Sequence, residues 1–262
     1  MTRQAKIKQT SEAPSRDLTF DEHPLEPVIG ILRSPFAGIV DPLILYTSVR
    51  WIDPQTGWSG RHEMKARVLR ALWRPATRLT SFWTDVTSGG LADVEVRADR
   101  LGRPIAFVGT TPGPPISFTH SSGRTWGALN LGTSHIGIDT ATPDDFAERY
   151  PFDRAFHPWE FSSALQHTDD YGESAAALLW SIKESAVKAL GCGFRLLSPL
   201  DLSVTLERAT GDRLTFSVFL SKAALARLPE ETTVPVVGLS FREHGVRVSL
   251  AAVNPGSRAT LW

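Results

Sequence analysis

Residues 178–188 read Leu178-Leu179-Trp180-Ser181-Ile182-Lys183-Glu184-Ser185-Ala186-Val187-Lys188, and this stretch indicates how the chain folds. At about 100° per residue, the pattern predicts a helix whose two faces differ in chemistry. The packing face is apolar and comprises Leu178, Leu179, Ile182, Ala186, Ala189 and Leu190. The opposite face comprises Trp180, Ser181, Glu184 and Lys188, with Lys183 at the border. We therefore expect one face to pack and the other to carry the chemistry.

Glu184 and Lys188 allow two interpretations. Because they are four residues apart, they can form a surface ion pair that stabilises the helix by about 0.2–0.5 kcal/mol. They can also share a site with Asp139, which closes the earlier apolar run 136–138. A carboxylate at a strand end beside a helical Glu can hold Mg²⁺, which takes one or two protein carboxylates together with substrate phosphates. Lys188, one turn beyond Glu184, would then face those phosphates.

The combination of Gly137-Ile138-Asp139 with residues 180–188 resembles the 4′-phosphopantetheinyl transferases. Their signature is G-[IV]-D followed by [FW]-[SCT]-x-K-E-[SA]-x-x-K, and this chain matches every defined position. The resemblance is to the larger, pseudo-dimeric, surfactin-synthetase-activating type. It implies an α+β fold with two similar α+β halves in one chain, related by pseudo-twofold symmetry. We expect a flexible tail at 1–25, an N-terminal half at 26–133, and a C-terminal half at 134–262 that carries the metal and the signature helix.

The resemblance also implies a reaction. A member of this family transfers the 4′-phosphopantetheine arm of coenzyme A to a serine of an acyl or peptidyl carrier protein and releases 3′,5′-adenosine bisphosphate. The implied metal is Mg²⁺, with Mn²⁺ as the alternative, held by Asp139 and Glu184. Asp139, Glu184 and Lys188 are then the catalytic residues. Glu184 would serve as the base for the incoming serine, and Lys188 would stabilise the departing phosphate.

Further residues are implied as ligands of coenzyme A by motifs that follow the family's order. A basic helical stretch at 60–74 offers Arg61 and Lys65, although a solvated helix face is the alternative from the sequence alone. Arg103 lies in a Gly-Arg-Pro turn, and Thr119 and His120 lie in a Thr-His-Ser segment that matches the family's Ser-His-Ser. By itself, a lone His near a strand end is more often structural or exposed. The full implied set is Arg61, Lys65, Arg103, Thr119, His120, Lys183 and Lys188.

Ala141 departs from the family pattern. Many members read G-[IV]-D-x-E, with the Glu as a third metal ligand, whereas this chain has Ala141 at that position. A methyl group cannot ligate a metal, and a water can take its place because Mg²⁺ retains waters readily. The departure bears on metal affinity more than on the class of reaction.

Composition sets the outer limits of these interpretations. The chain of 262 residues is 42% hydrophobic and 21% charged, which is ordinary for a globular protein. Its 28 basic and 28 acidic residues cancel, which argues against a general nucleic-acid binder. The only cysteine, Cys192, cannot form an internal disulfide, so we expect a reducing compartment and a buried thiol.

We expect neither an export signal nor a membrane span in this chain. Residues 1–10 are polar rather than apolar, and no stretch approaches the roughly 20 apolar residues of a span. We therefore expect a cytoplasmic monomer whose partners are coenzyme A and a carrier protein, with no nucleic acid and no membrane. The alternative is a non-catalytic module of the same fold that binds coenzyme A and the carrier protein.

Overall fold

A computed structural model describes residues 30–32, 44–50, 57–79, 94–147, 151–168, 171–228 and 235–254. The expected tail at 1–25 lies outside these ranges. None of the helices within them is both long and apolar enough to cross a membrane.

The described residues of the first part of the chain form six strands and one long helix. In order they are β1 (Gly30–Leu32), β2 (Ile44–Arg50), α1 (Gly57–Leu79), β3 (Val94–Ala98), β4 (Pro104–Val108), β5 (Thr111–Ser121) and β6 (Arg124–Asn130). A proline removes a backbone hydrogen bond and often ends a helix, yet Pro75 lies inside α1. The helix continues because Trp73 and Ala76, on either side of the proline, are buried in the core.

In the second part, the residues that the structure describes form five strands and three α-helices. In order they are β7 (His135–Ala141), α2 (Pro158–Leu165), α3 (Gly172–Ala189), β8 (Leu202–Thr210), β9 (Arg213–Leu220), α4 (Lys222–Leu225), β10 (Val236–Glu243) and β11 (Val246–Val253). Short 3₁₀ turns occupy Pro143–Phe146, Phe152–Arg154, Gly193–Arg195 and Pro199–Asp201. Residues 131–134 connect the two parts.

The two parts share one topology. The first sheet has the strand order β1-β2-β6-β5-β4-β3, and the second has β7-β11-β10-β9-β8. Without the edge strand β1, the five strands of each sheet follow the same order, and all neighbours are antiparallel. Each part also places its long helix between its first and second shared strands in chain order. The expected α+β fold with two similar halves is therefore confirmed.

Three apolar clusters form the core among the described residues, and one of them joins the two halves. One lies between α1 and the first sheet, another lies between α3 and the second sheet, and the third fills the space between the sheets. Alternation along the strands produces this layering: Ile136 and Ile138 face the other sheet, while Gly137 faces α3. Strand β5 of the first sheet contacts β7 of the second. The equivalent strands, β10 and β2, also meet, and the ring centroids of Phe241 and Tyr46 lie 5.1 Å apart.

Helix α3 is covered on more than one side. Its apolar face is buried, as expected, except that Leu190 is only partly buried. Ser181, which the sequence assigned to the opposite face, is also buried, and its Oγ lies 2.7 Å from Oγ of Ser249 on β11. That assignment is wrong because Ser181 lies against β11 of the second sheet. Helix α2 also packs on α3, so the helix has no broad solvent face.

The close approach of α3 to β7 depends on Gly137. A Cβ at this position would lie 1.9 Å from the carbonyl oxygen of Ser185 and 2.7 Å from the amide nitrogen of Ala189. Both atoms belong to the helix backbone, so no side-chain rotation can make room. The glycine of the Gly-Ile-Asp segment is therefore required by packing.

We predict that Gly137→Ala destabilises the fold by about 1–3 kcal/mol or more, because the helix must move away from the strand. Urea denaturation measures the effect. Gly172→Ala is the control, since its Cβ would meet nothing closer than 3.8 Å. A Gly137→Ala protein as stable as the wild type would mean that α3 does not rest on this strand.

Candidate active site

Asp139, Glu184 and Lys188 converge where β7 passes under α3. Nζ of Lys188 donates to Oδ1 of Asp139 at 2.6 Å and to the carbonyl oxygen of Ile138 at 3.2 Å. The same Nζ lies 3.7 Å from Oε2 of Glu184. The Asp139 side chain is 4% exposed, whereas those of Glu184 and Lys188 are 30% and 28% exposed. The site therefore has a buried carboxylate below a second carboxylate and an ammonium that solvent can reach.

Local geometry explains this convergence. The two-residue period of β7 places Asp139 on the same face as Gly137, which is the face that α3 covers. Glu184 and Lys188 are four residues apart, so they lie one above the other on the helix. The contact at Gly137 brings that part of the helix over Asp139.

The environment raises the pKa of Glu184 to about 7. Burial is the main cause, and the negative charge of Asp139 adds to it, while the Lys188 ammonium acts in the opposite direction. A cation shared with Asp139 would favour the ionised form of Glu184.

The donor set of this site fits a hard divalent cation. Asp139 and Glu184 supply only oxygen ligands, and Mg²⁺ commonly takes one or two carboxylates and completes its shell with water and substrate phosphates. Across the described ranges, no group of three or more His, Cys, Asp or Glu side chains is arranged to hold a metal. Asp139 and Glu184 would therefore share the cation with oxygens that the protein does not supply.

Ala141 lies on the same strand face as Asp139, two residues further along β7. It is 1% exposed and belongs to an apolar cluster with Phe146 and Phe156. A carboxylate introduced here would have to displace apolar packing. The position beside Asp139 is therefore occupied by the core of the second half.

A cleft of about 600 Å³ lies next to this site, between the two halves. Lys188 of α3 forms part of its wall together with Gly191 and Gly193, and α1, β3, the turn before β4, β4 and β5 line it from the first half. Its basic lining residues are Lys65, Arg70, Arg97, Arg103 and Lys188. Within the described part of the chain, the only acidic lining residue is Glu95. This volume is within the usual range of ligand sites, and the excess of positive charge favours an anionic ligand.

Arg103 connects the halves at one end of the cleft. Its Nε lies 3.3 Å from Oδ2 of Asp99, which fixes the guanidinium near the turn before β4. The guanidinium lies against Gly191, where a Cβ would come within 3.0 Å of its Nη1. Gly191 has a φ of +77° and ends α3 in a Schellman motif, in which the amide of Cys192 donates to the Val187 carbonyl.

The remaining predicted ligands of coenzyme A occupy different places. Lys65 lines the cleft with its Nζ 5.8 Å from the centre of the Phe118 ring. Thr119 and His120 are not among the described residues that line the cleft. Nδ1 of His120 lies 2.9 Å from Oγ1 of Thr125, and Thr119 donates to Asp139. Arg61 falls within α1, and its side chain lies outside the part of the chain that the structure describes.

Lys183 is fully buried and turned away from the cleft. Its ammonium pairs with Glu160 of α2 and donates to the carbonyl oxygens of Ala155 and Pro199, at 2.8 and 2.9 Å. Burial lowers the pKa of Lys183, and the charge of Glu160 counteracts that effect. We therefore remove Lys183 from the ligands of coenzyme A, because an ammonium that is buried and saturated with acceptors cannot meet a ligand.

The sequence did not identify three of the residues that build the site. Glu160 holds Lys183, Ser117 contacts β7, and Arg97 reaches the cleft from β3. Alternation in the segment 94–98 could have placed Arg97 on one face with Glu95, but it could not indicate which face the cleft meets. Glu160 and Ser117 contact Lys183 and Ile138, which are distant in the sequence, so no local pattern indicates these contacts.

We predict that Lys183→Met costs about 3–5 kcal/mol of stability, because it leaves the buried Glu160 carboxylate unpaired. Adding Glu160→Gln should recover part of the loss. Urea denaturation at neutral pH measures both. Lys222→Met, at an exposed position, should stay within about 0.5 kcal/mol of the wild type. A Lys183→Met protein that is equally stable would argue against the buried pair.

Comparison with protein families gives a match on the second half. No curated protein matches the chain. Residues 135–234 match the family model of the 4′-phosphopantetheinyl transferase superfamily. This segment begins with β7 and includes all of α3. The part of the chain that holds Asp139, Glu184 and Lys188 therefore carries a domain similar to the 4′-phosphopantetheinyl transferase superfamily.

Proposed function

We propose that the protein transfers the 4′-phosphopantetheine arm of coenzyme A to a serine of an acyl or peptidyl carrier protein, with Mg²⁺ or Mn²⁺ as the cofactor. The observation that carries the proposal is the position of Asp139, Glu184 and Lys188 at the edge of a basic cleft. These three residues lie in the segment that matches the transferase superfamily.

The cleft suits the charge of coenzyme A, which carries a pyrophosphate and a 3′-phosphate. Arg103 and Lys65 approach from the first half, and Lys188 approaches from the second. A ligand that spans the cleft would therefore contact both halves. His120 remains a predicted contact at the side of the cleft, on the strand that carries Phe118.

The chemistry follows from the positions of these groups. The serine Oγ forms a bond to the phosphorus that bears the pantetheine arm, and the bond from this phosphorus to the bridging oxygen breaks, which releases 3′,5′-adenosine bisphosphate. Glu184 accepts the serine proton, directly or through a water, and Lys188 neutralises the charge that develops on the leaving phosphate. A cation bound by Asp139 and Glu184 would supply charge neutralisation at the pyrophosphate.

A single chain provides the whole proposed site. The walls of the cleft come from both halves of one chain, so no second copy is needed to complete them. We propose a monomer that acts in the cytoplasm, where its buried thiol, Cys192, stays reduced. A non-catalytic binding module would keep the cleft but has no need for the two carboxylates beside Lys188.

Mass spectrometry tests the proposal directly. Purified apo acyl and peptidyl carrier proteins are incubated with this protein, coenzyme A and Mg²⁺. We expect each accepted carrier to gain one phosphopantetheine group, and the gain to disappear when EDTA removes the metal. Binding of coenzyme A without any gain of mass would favour the non-catalytic module.

We predict that Glu184→Gln lowers kcat by about 10²–10⁴-fold, because the amide cannot accept a proton and is a poorer cation ligand. Initial rates of carrier modification measure the effect. Glu173→Gln is the matched control on the first turn of the same helix, where the side chain is exposed. Turnover near the wild-type value in the Glu184 variant would exclude it as both base and ligand.

We predict that Arg103→Gln raises KM for coenzyme A about tenfold or more and changes kcat less, since its charge meets the ligand before and during the reaction. Arg100→Gln provides the control, because Arg100 is exposed in the same turn and does not line the cleft. If both variants raise KM equally, the loss of positive charge alone explains the effect, and Arg103 makes no direct contact with coenzyme A.

A further inference from the structure

We propose that Thr119 is a positioning residue for Asp139, and that its hydroxyl orients this carboxylate for the cation instead of contacting coenzyme A. The inference rests on the proposed function in one respect, namely that Asp139 is a cation ligand. It assigns to the first half of the chain a role in building the metal site of the second half.

The geometry begins with the open edge of β7. This strand is the outermost of its sheet, and its free edge faces β5 of the first half. Ser117 on β5 accepts a hydrogen bond from the amide of Ile138 at 3.1 Å. Two residues further along β5, Oγ1 of Thr119 donates to Oδ1 of Asp139 at 2.8 Å. One side chain of β5 therefore holds the backbone of β7, and the next one on the same face holds the carboxylate.

Oδ1 of Asp139 accepts from two donors. Thr119 approaches it from the first half, and Nζ of Lys188 approaches it from α3 at 2.6 Å. Two donors on one oxygen fix the rotation of the carboxylate about its χ2 bond. We assign the other oxygen, Oδ2, to the cation shared with Glu184.

The Thr119 hydroxyl is poorly placed for coenzyme A. The residue is 7% exposed, and it is not among the described residues that line the 600 Å³ cleft. A hydroxyl has a single proton to donate, and Asp139 receives it. A phosphate needs donors, so Thr119 has none left to offer it. This differs from the ligand role that the Thr-His-Ser motif implied.

A binding experiment separates the two roles. Mn²⁺ affinity is measured by electron paramagnetic resonance without coenzyme A, for the wild type, Thr119→Val and Thr119→Ser. We expect Thr119→Val to bind Mn²⁺ about tenfold more weakly, as is usual when a hydrogen bond that orients a metal ligand is lost. Thr119→Ser keeps the hydroxyl and should restore the affinity. Calorimetry without metal should give Thr119→Val the coenzyme A affinity of the wild type.

Thr215→Val is the matched control. Thr215 is also 7% exposed, and its hydroxyl makes one hydrogen bond, to the carbonyl oxygen of Glu207 at 3.3 Å. It lies on β9, three strands away from Asp139 in the same sheet. This variant should keep the wild-type Mn²⁺ affinity. Urea denaturation verifies that each variant is folded, and Thr119→Ala replaces the valine variant if valine does not fit.

The outcomes distinguish this inference from the proposed function. An unchanged or tighter Mn²⁺ affinity in Thr119→Val overturns the positioning role, and weaker coenzyme A binding with unchanged Mn²⁺ affinity makes Thr119 a ligand of coenzyme A. Absence of Mn²⁺ binding in the wild type also overturns it. Failure of the wild type to modify any carrier protein counts against the proposed function alone, since the Mn²⁺ measurement does not depend on transfer.

Discussion

The contact of α3 with β7 at Gly137 is the constraint on which the site depends. With no side chain at this position, the helix backbone meets the strand directly, and a Cβ would lie 1.9 Å from a helix carbonyl. This approach lets Lys188 reach the carboxylate of Asp139 and the carbonyl of Ile138. A helix held further out would leave Asp139 buried without its cationic partner, which costs several kcal/mol.

The two lysines of α3, Lys183 and Lys188, have different roles because the first is buried and the second is partly exposed. Lys183 is wholly enclosed, and Glu160 with two carbonyls satisfies its ammonium, so it ties α3 to α2 and to the turn before β8. Lys188 keeps 28% of its side chain exposed and lines the cleft. Only the second can respond to a ligand, because moving a saturated buried charge toward solvent would leave several acceptors unpaired.

The two halves share a topology, but they supply different residues to the site. The second half supplies the carboxylates and Lys188, whereas the first supplies Lys65 and Arg103 of the cleft wall. The first half also reaches into the second through Ser117 and Thr119, whose hydroxyls bond to β7. Because β7 is an edge strand, these contacts come from outside its own sheet. The packing of the two halves against each other therefore positions residues of the site, in addition to burying the apolar cluster between the sheets.

The sequence by itself determined the α+β class with two similar halves, the helix at 178–188 and the juxtaposition of Asp139 with Glu184 and Lys188. These follow from local periods of two and 3.6 residues and from the order of a short motif. Tertiary structure alone decided that Lys183 pairs with Glu160, that Thr119 donates to Asp139 and that α1 continues through Pro75. A periodic pattern specifies which residues share a face, but burial and partners depend on what packs against that face from distant parts of the chain.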